Sequence, residues 1–152
     1  MAANDQMAEI QRLLQGTKVH SVGRAADLGV IEFAGLRDDV INIHIQCPFR
    51  ILQEGKVILG SRDMRYPQQG AGSESFEQFG TVYDSRAATL NGIFERIRPA
   101  VAEVSFGDAG HLAVGWEPRF RIEVFPDCSG SMEAWRVFLR GGPHYGFPQG
   151  AI

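Results

Sequence analysis

The chain has 152 residues, a formal net charge of -3 and 44% apolar residues, which fits one globular domain able to bury a core without staples. Its mild acidity disfavours nucleic acid as a partner, because phosphate binding needs a concentrated basic face. No apolar run approaches the roughly 20 residues of a membrane span, and no basic-then-apolar secretory signal opens the chain, so a cytoplasmic protein with Cys47 and Cys128 reduced is expected.

Residues 4–15 read as a helix, with Asn4 as cap, an apolar stripe of Ala3, Met7, Ile10 and Leu14, and Gly16 as the stop. Residues 17–22 and 30–34 read as strands separated by Gly23-Arg24-Ala25-Ala26-Asp27. Residues 40–46 alternate most clearly: Ile41, Ile43 and Ile45 point one way, and Asn42, His44 and Gln46 the other. Pro48 predicts a bend after Cys47. Residues 49–53 and 56–60 form a hairpin about Glu54-Gly55, pairing Gln53 with Lys56, Leu52 with Val57 and Ile51 with Ile58. Both of its faces are then apolar and call for cover on both sides. Residues 61–79 lack periodicity and read as a long exposed loop, of the kind that is often functional or mobile.

Asp84 predicts the cap of a second helix near residues 85–98, with Ala87, Leu90, Phe94 and Ile97 buried and Pro99 beyond its end. Residues 101–106 start a meander that sets Val104 opposite Val114. The next hairpin can be registered by hand: a three-residue loop, Glu117-Pro118-Arg119, pairs Trp116 with Phe120, Val114 with Ile122 and Leu112 with Val124. Its six apolar side chains then share one face, with His111, Arg121 and Glu123 on the other. Residues 135–139 form a last short strand, and the Gly- and Pro-rich residues 141–152 read as a flexible tail. The expected fold is therefore one α+β domain over residues 1–140, a mainly antiparallel meander with an N-terminal helix and a second helix.

Chemistry is harder to place. Asn42, His44 and Gln46 form a polar sheet face that is either solvated or a ligand site. His20, His111 and His144 share no metal spacing with His44, and no Cys-x-x-Cys pair or phosphate loop is present, so neither metal nor cofactor is called for. Cys47 lies three residues from His44 but faces the opposite way on an unbroken strand; a small buried apolar residue is its plainer reading. Cys128 lies in the polar turn Asp127-Cys128-Ser129-Gly130-Ser131, without a neighbouring base. Arg62, Asp63, Arg65 and Tyr66, at the mouth of the long loop, are residue types enriched at binding hot spots; the alternative is a solvated loop with a weak local ion pair.

Two segments carry a resemblance. Asn42-Ile43-His44-Ile45-Gln46-Cys47-Pro48-Phe49-Arg50 with Gly60-Ser61-Arg62-Asp63, and Ile122-Glu123-Val124-Phe125-Pro126-Asp127 with Glu133-Ala134-Trp135-Arg136-Val137-Phe138, occur in that order. They resemble a family of small uncharacterised bacterial α+β proteins whose strand ends His-x-Gln-Cys-Pro-Trp-Arg; Phe49 here stands where that tryptophan is usual. The family is similar in size and style to the immunity proteins that neutralise polymorphic toxins. The resemblance carries over no catalytic residue; it implies an α+β bacterial cytoplasmic domain, and the leading reading built on that likeness is a non-enzymatic protein that binds another protein, a cognate bacterial toxin. Two other readings stay open: a small-molecule or peptide module on the His44 face, and an enzyme built on Cys47 or His44.

Overall fold

The strongest sequence pattern, the registered hairpin, is also the centre of the structure. A computed structural model describes residues 3–149. In chain order its elements are α1 (Ala3–Leu14), β1 (Lys18–Ala25), β2 (Leu28–Ala34), β3 (Val40–Ile45), β4 (Phe49–Gln53), β5 (Lys56–Gly60), α2 (Val82–Ile97), β6 (Val101–Phe106), β7 (Leu112–Trp116), β8 (Phe120–Val124), β9 (Trp135–Leu139) and β10 (His144–Phe147). The strands form two five-stranded antiparallel sheets, ordered β1-β2-β3-β9-β10 and β5-β4-β8-β7-β6. The α+β class with antiparallel sheets and an N-terminal helix therefore holds.

The pairs Trp116–Phe120, Val114–Ile122 and Leu112–Val124 form as expected, and Val104 lies opposite Val114. All six hairpin side chains are buried, while Arg121 and Glu123 face outward. The inner faces of both sheets contribute to one apolar core, in which Phe33, Ile43, Ile51, Trp116 and Val137 take part. Phe94 packs edge-on to Trp116 at 5.7 Å and to Phe120 at 5.5 Å, so α2 is keyed into the same core. Trp135 donates its indole N–H to the Gly110 carbonyl at 2.8 Å, whereas the buried Trp116 indole N–H has no hydrogen-bond acceptor among the described residues.

Side chains occupy some of the backbone groups along the sheet edges, which reduces the unpaired groups that invite aggregation. Asn91 on α2 accepts from the Val22 amide at 2.8 Å and donates to the Val22 carbonyl at 2.9 Å, closing the β1 edge like a short strand. Gln11 on α1 and Gln15 just after it donate to the Val104 and Ala102 carbonyls of β6. Gln6 donates to the Gly146 carbonyl of β10, and Asp63 accepts from the Gly60 amide of β5 at 2.9 Å.

Several expectations change. The β4–β5 hairpin keeps Gln53–Lys56 and Leu52–Val57, but a bulge then sets Ile51 opposite Leu59 instead of Ile58. The bulge brings Leu59 into the core and leaves Val57 half exposed, so this hairpin has one buried face rather than two. The first two strands extend into the expected connector and turn at Ala26-Asp27. α2 is capped by Thr81, not Asp84; Asp84 sits at the third helical position and completes a reciprocal capping box. Residues 144–147 of the tail read as flexible form β10 against β9. α1 begins at Ala3, so Asn4 falls within it; the side chains of Ala3 and Asn4, and the tail beyond Gln149, lie outside the described residues. Among the described residues no helix is long and apolar enough to cross a membrane.

Candidate functional site

The Cys47-Pro48 step carries the chain from β3 of one sheet to β4 of the other. Pro48 cannot donate to a ladder, so the strand must break there; its carbonyl still accepts from the Phe125 amide at 2.9 Å. The break opens a cleft of about 740 Å³. Gln46, Cys47 and Pro48 line one part of it, Ser61, Arg62, Met64 and Arg65 another, and the loop around Phe76 and Glu77, with Asp27 and Asp127, much of the rest. The two segments that carried the family resemblance thus meet around one cavity.

The Ser61–Arg65 wall is a single 3-10 helix directly after β5. Ser61 is fixed because its hydroxyl accepts from the Phe49 amide at 3.1 Å. Met64 turns inward and is 8% exposed. Arg62 and Arg65, three apart, are eclipsed in this helix type; both are exposed and both line the cleft. Asp63, also expected in a partner-binding patch, is the group that caps Gly60. Tyr66 is 54% exposed but stands outside the cleft lining.

The opposite wall is held by a residue that sequence reasoning placed in a connector. Arg24 has a side chain only 1% exposed, and it forms a bidentate pair with Asp84, both bonds at 2.9 Å. It also donates to the carbonyls of Phe76 and Ala26, and its guanidinium lies 4.4 Å from the ring centroids of both Phe76 and Phe79. The neck of the loop closes through the Pro67–Thr81 bridge and the Gln68 amide to Gly80 carbonyl bond at 2.9 Å. Phe79 adopts φ +55°, an uncommon conformation for a bulky side chain, while remaining 55% exposed. Burial raises the Asp84 pKa, but hydrogen bonds from Arg24 and Thr81 outweigh it and hold the carboxyl below its ordinary value. One sequence signal pointed here: Thr81-x-x-Asp84 is a capping-box pattern. Nothing in the sequence pairs Asp84 with Arg24.

Burial pushes the Cys47 thiol up to about 12, and the charge of Asp127 adds to the shift. The thiol is therefore protonated near neutrality, a poor nucleophile. His44 does not reach it. Its ring packs edge-on to Phe138 at 4.8 Å, and Phe138 stacks on His144 at 4.8 Å. Burial lowers the His44 pKa; Glu133 opposes this, and Arg136 and His144 reinforce it. Arg136 is clamped by Glu133 through bonds of 3.0 Å. The expected polar face therefore divides: Asn42 is buried and His44 half-buried on the outer side of its sheet, whereas Gln46 lines the cleft with Arg62 and Arg65. Among the described residues, no group of three or more His, Cys, Asp or Glu is placed to hold a metal ion.

Comparison with known proteins finds no family model, no curated protein and no solved structure that matches the chain.

Proposed function

We propose that this protein works by binding another protein, in the manner of the toxin-neutralising immunity proteins that its two sequence segments resemble, and that its target is a bacterial toxin met in the cytoplasm. The supporting observation is the connection between β5 and α2. It presents Arg62, Arg65 and Tyr66 exposed on a backbone fixed by the Ser61 hydroxyl on the Phe49 amide, the Asp63 carboxylate on the Gly60 amide and the Tyr66 carbonyl on the Val82 amide. Preorganisation lowers the ordering cost of association, and Arg and Tyr are the side chains that most often dominate binding energy. The raised thiol of Cys47 and the engagement of His44 with Phe138 give neither residue a catalytic role in this reading.

The test is calorimetry of the triple variant Arg62→Ala, Arg65→Ala, Tyr66→Ala against the partner recovered by pull-down from the native host, with a melting curve alongside. The thermal midpoint should hold, since exposed substitutions cost about 0.5 kcal/mol or less each. Binding should fall by about 2 kcal/mol or more. Unchanged affinity removes this surface from the interface.

A further inference from the structure

The cleft beside Cys47 has two levels. Its deeper surface is neutral: Cys47 and Met64 are buried and Phe76 is half-buried. Its rim is charged, with Arg62 and Arg65 on the 3-10 helix and Asp27, Glu77 and Asp127 on other segments, all exposed. Among the described residues none of these five charges forms an ion pair or a side-chain hydrogen bond. Some surface arginines are paired, as Arg12 is with Glu9, Arg50 and Arg121 with Glu123, and Arg136 with Glu133; what sets Arg62 and Arg65 apart is that both line one cleft. Two eclipsed guanidiniums repel each other, and a carboxylate between them relieves that repulsion. A neutral floor inside a charged rim is the anatomy of a protein-binding hot spot, in which an apolar anchor is desolvated and the flanking charges set register and partner choice. The walls are already in place, because Arg24 fixes Phe76 and the Ser61 hydroxyl holds the 3-10 helix to β4.

We propose that this cleft is the anchor site for one extended segment of the protein partner: an apolar side chain seats on Cys47, Met64 and Phe76, an acidic residue on one side meets Arg62 and Arg65, and a basic residue on the other meets the carboxylate rim. The inference rests on the binding function proposed above and specifies the chemistry it recognises. The cavity volume, about 740 Å³, falls within the roughly 300–1,000 Å³ typical of sites that enclose a ligand of this scale.

The experiment titrates the full isotope-labelled chain with two capped tripeptides, acetyl-Glu-Leu-Lys-amide and acetyl-Lys-Leu-Glu-amide, and follows backbone amide resonances. One order should produce saturable shifts centred on Cys47, Met64 and Ser75. Replacing its leucine with glycine should weaken binding by roughly tenfold. The double variant Arg62→Glu, Arg65→Glu should lose that peptide and bind acetyl-Lys-Leu-Lys-amide instead, with an unchanged melting curve as the control for folding; if that variant unfolds, Arg62→Ala with Arg65→Ala should still weaken the peptide. Absence of cleft shifts with both orders, equal binding of the glycine peptide, or indifference to the arginine substitutions overturns the proposal. The triple-alanine calorimetry reads the binding function independently, so a failure of the peptides alone removes the anchor site and not the function.

Discussion

Replacing Arg24 with alanine tests whether one buried cation holds the connection between β5 and α2. The Arg24 side chain is 1% exposed and that of Asp84 13%, so neither charge regains full hydration if the other is removed. Breaking such a pair from one side costs about 3–5 kcal/mol. The truncation also strips the guanidinium from the rings of Phe76 and Phe79, each 4.4 Å away, and deprives two carbonyls of their donor. Asp84 keeps the Thr81 hydroxyl and amide as partners, which limits the penalty. A domain of this size shifts its midpoint by roughly 2–4 °C per kcal/mol, so a fall of roughly 6–20 °C is expected in thermal unfolding, with a parallel loss in urea. Arg24→Lys should recover only part, because an ammonium cannot bridge both carboxylate oxygens and stack between two rings. The pH dependence has a definite sign. Asp84 is held below its ordinary value, and a depressed folded-state pKa contributes stability that is present above the unfolded value and lost as pH falls through the folded one. The native protein should lose this contribution below about pH 4, and Arg24→Ala should flatten that acid limb. Amide exchange at Gln68 and Gly80, whose N–H groups bond within the loop, should accelerate in the variant. An unfolding stability within about 1 kcal/mol of the native protein, with exchange unchanged, would refute the assignment of Arg24 as the loop's anchor.

Thr81→Ala should cost about 1 kcal/mol in urea unfolding, because the hydroxyl caps α2 at the Asp84 amide; a neutral result would show the cap to be redundant. Alkylation near neutral pH, read by peptide mass mapping, should label exposed Cys128 well before Cys47, whose thiol is buried and pushed up to about 12; the reverse order would restore Cys47 as a candidate nucleophile. A proton titration by NMR should place the His44 midpoint below about 6.5, the free value. Its charged form is disfavoured in the fold, so stability should decline as pH drops below that free value; a midpoint at or above it would contradict the packing against Phe138.

The sequence alone determined the local, periodic parts of this protein. Alternation in Leu112–Trp116 and Phe120–Val124 permits a single register once one face must be buried, because a one-residue slip turns every apolar side chain to solvent. The same rule placed Ile41, Ile43 and Ile45 in the core. It faltered where both neighbours of a strand residue were apolar: at Ile58 and Leu59 periodicity has no preference, and the bulge that chose Leu59 was decided by packing. The cleft lay further from view. Gln46, Arg62 and Asp127 are far apart in the chain, and only the crossing between sheets at Cys47-Pro48 brings them to one cavity. Arg24 and Asp84 are separated by 60 residues, and no spacing rule links a cation on a strand to a carboxylate in a helix cap. Local patterns report which face a residue turns to the core; which distant polar groups meet there depends on how the sheets and α2 pack together.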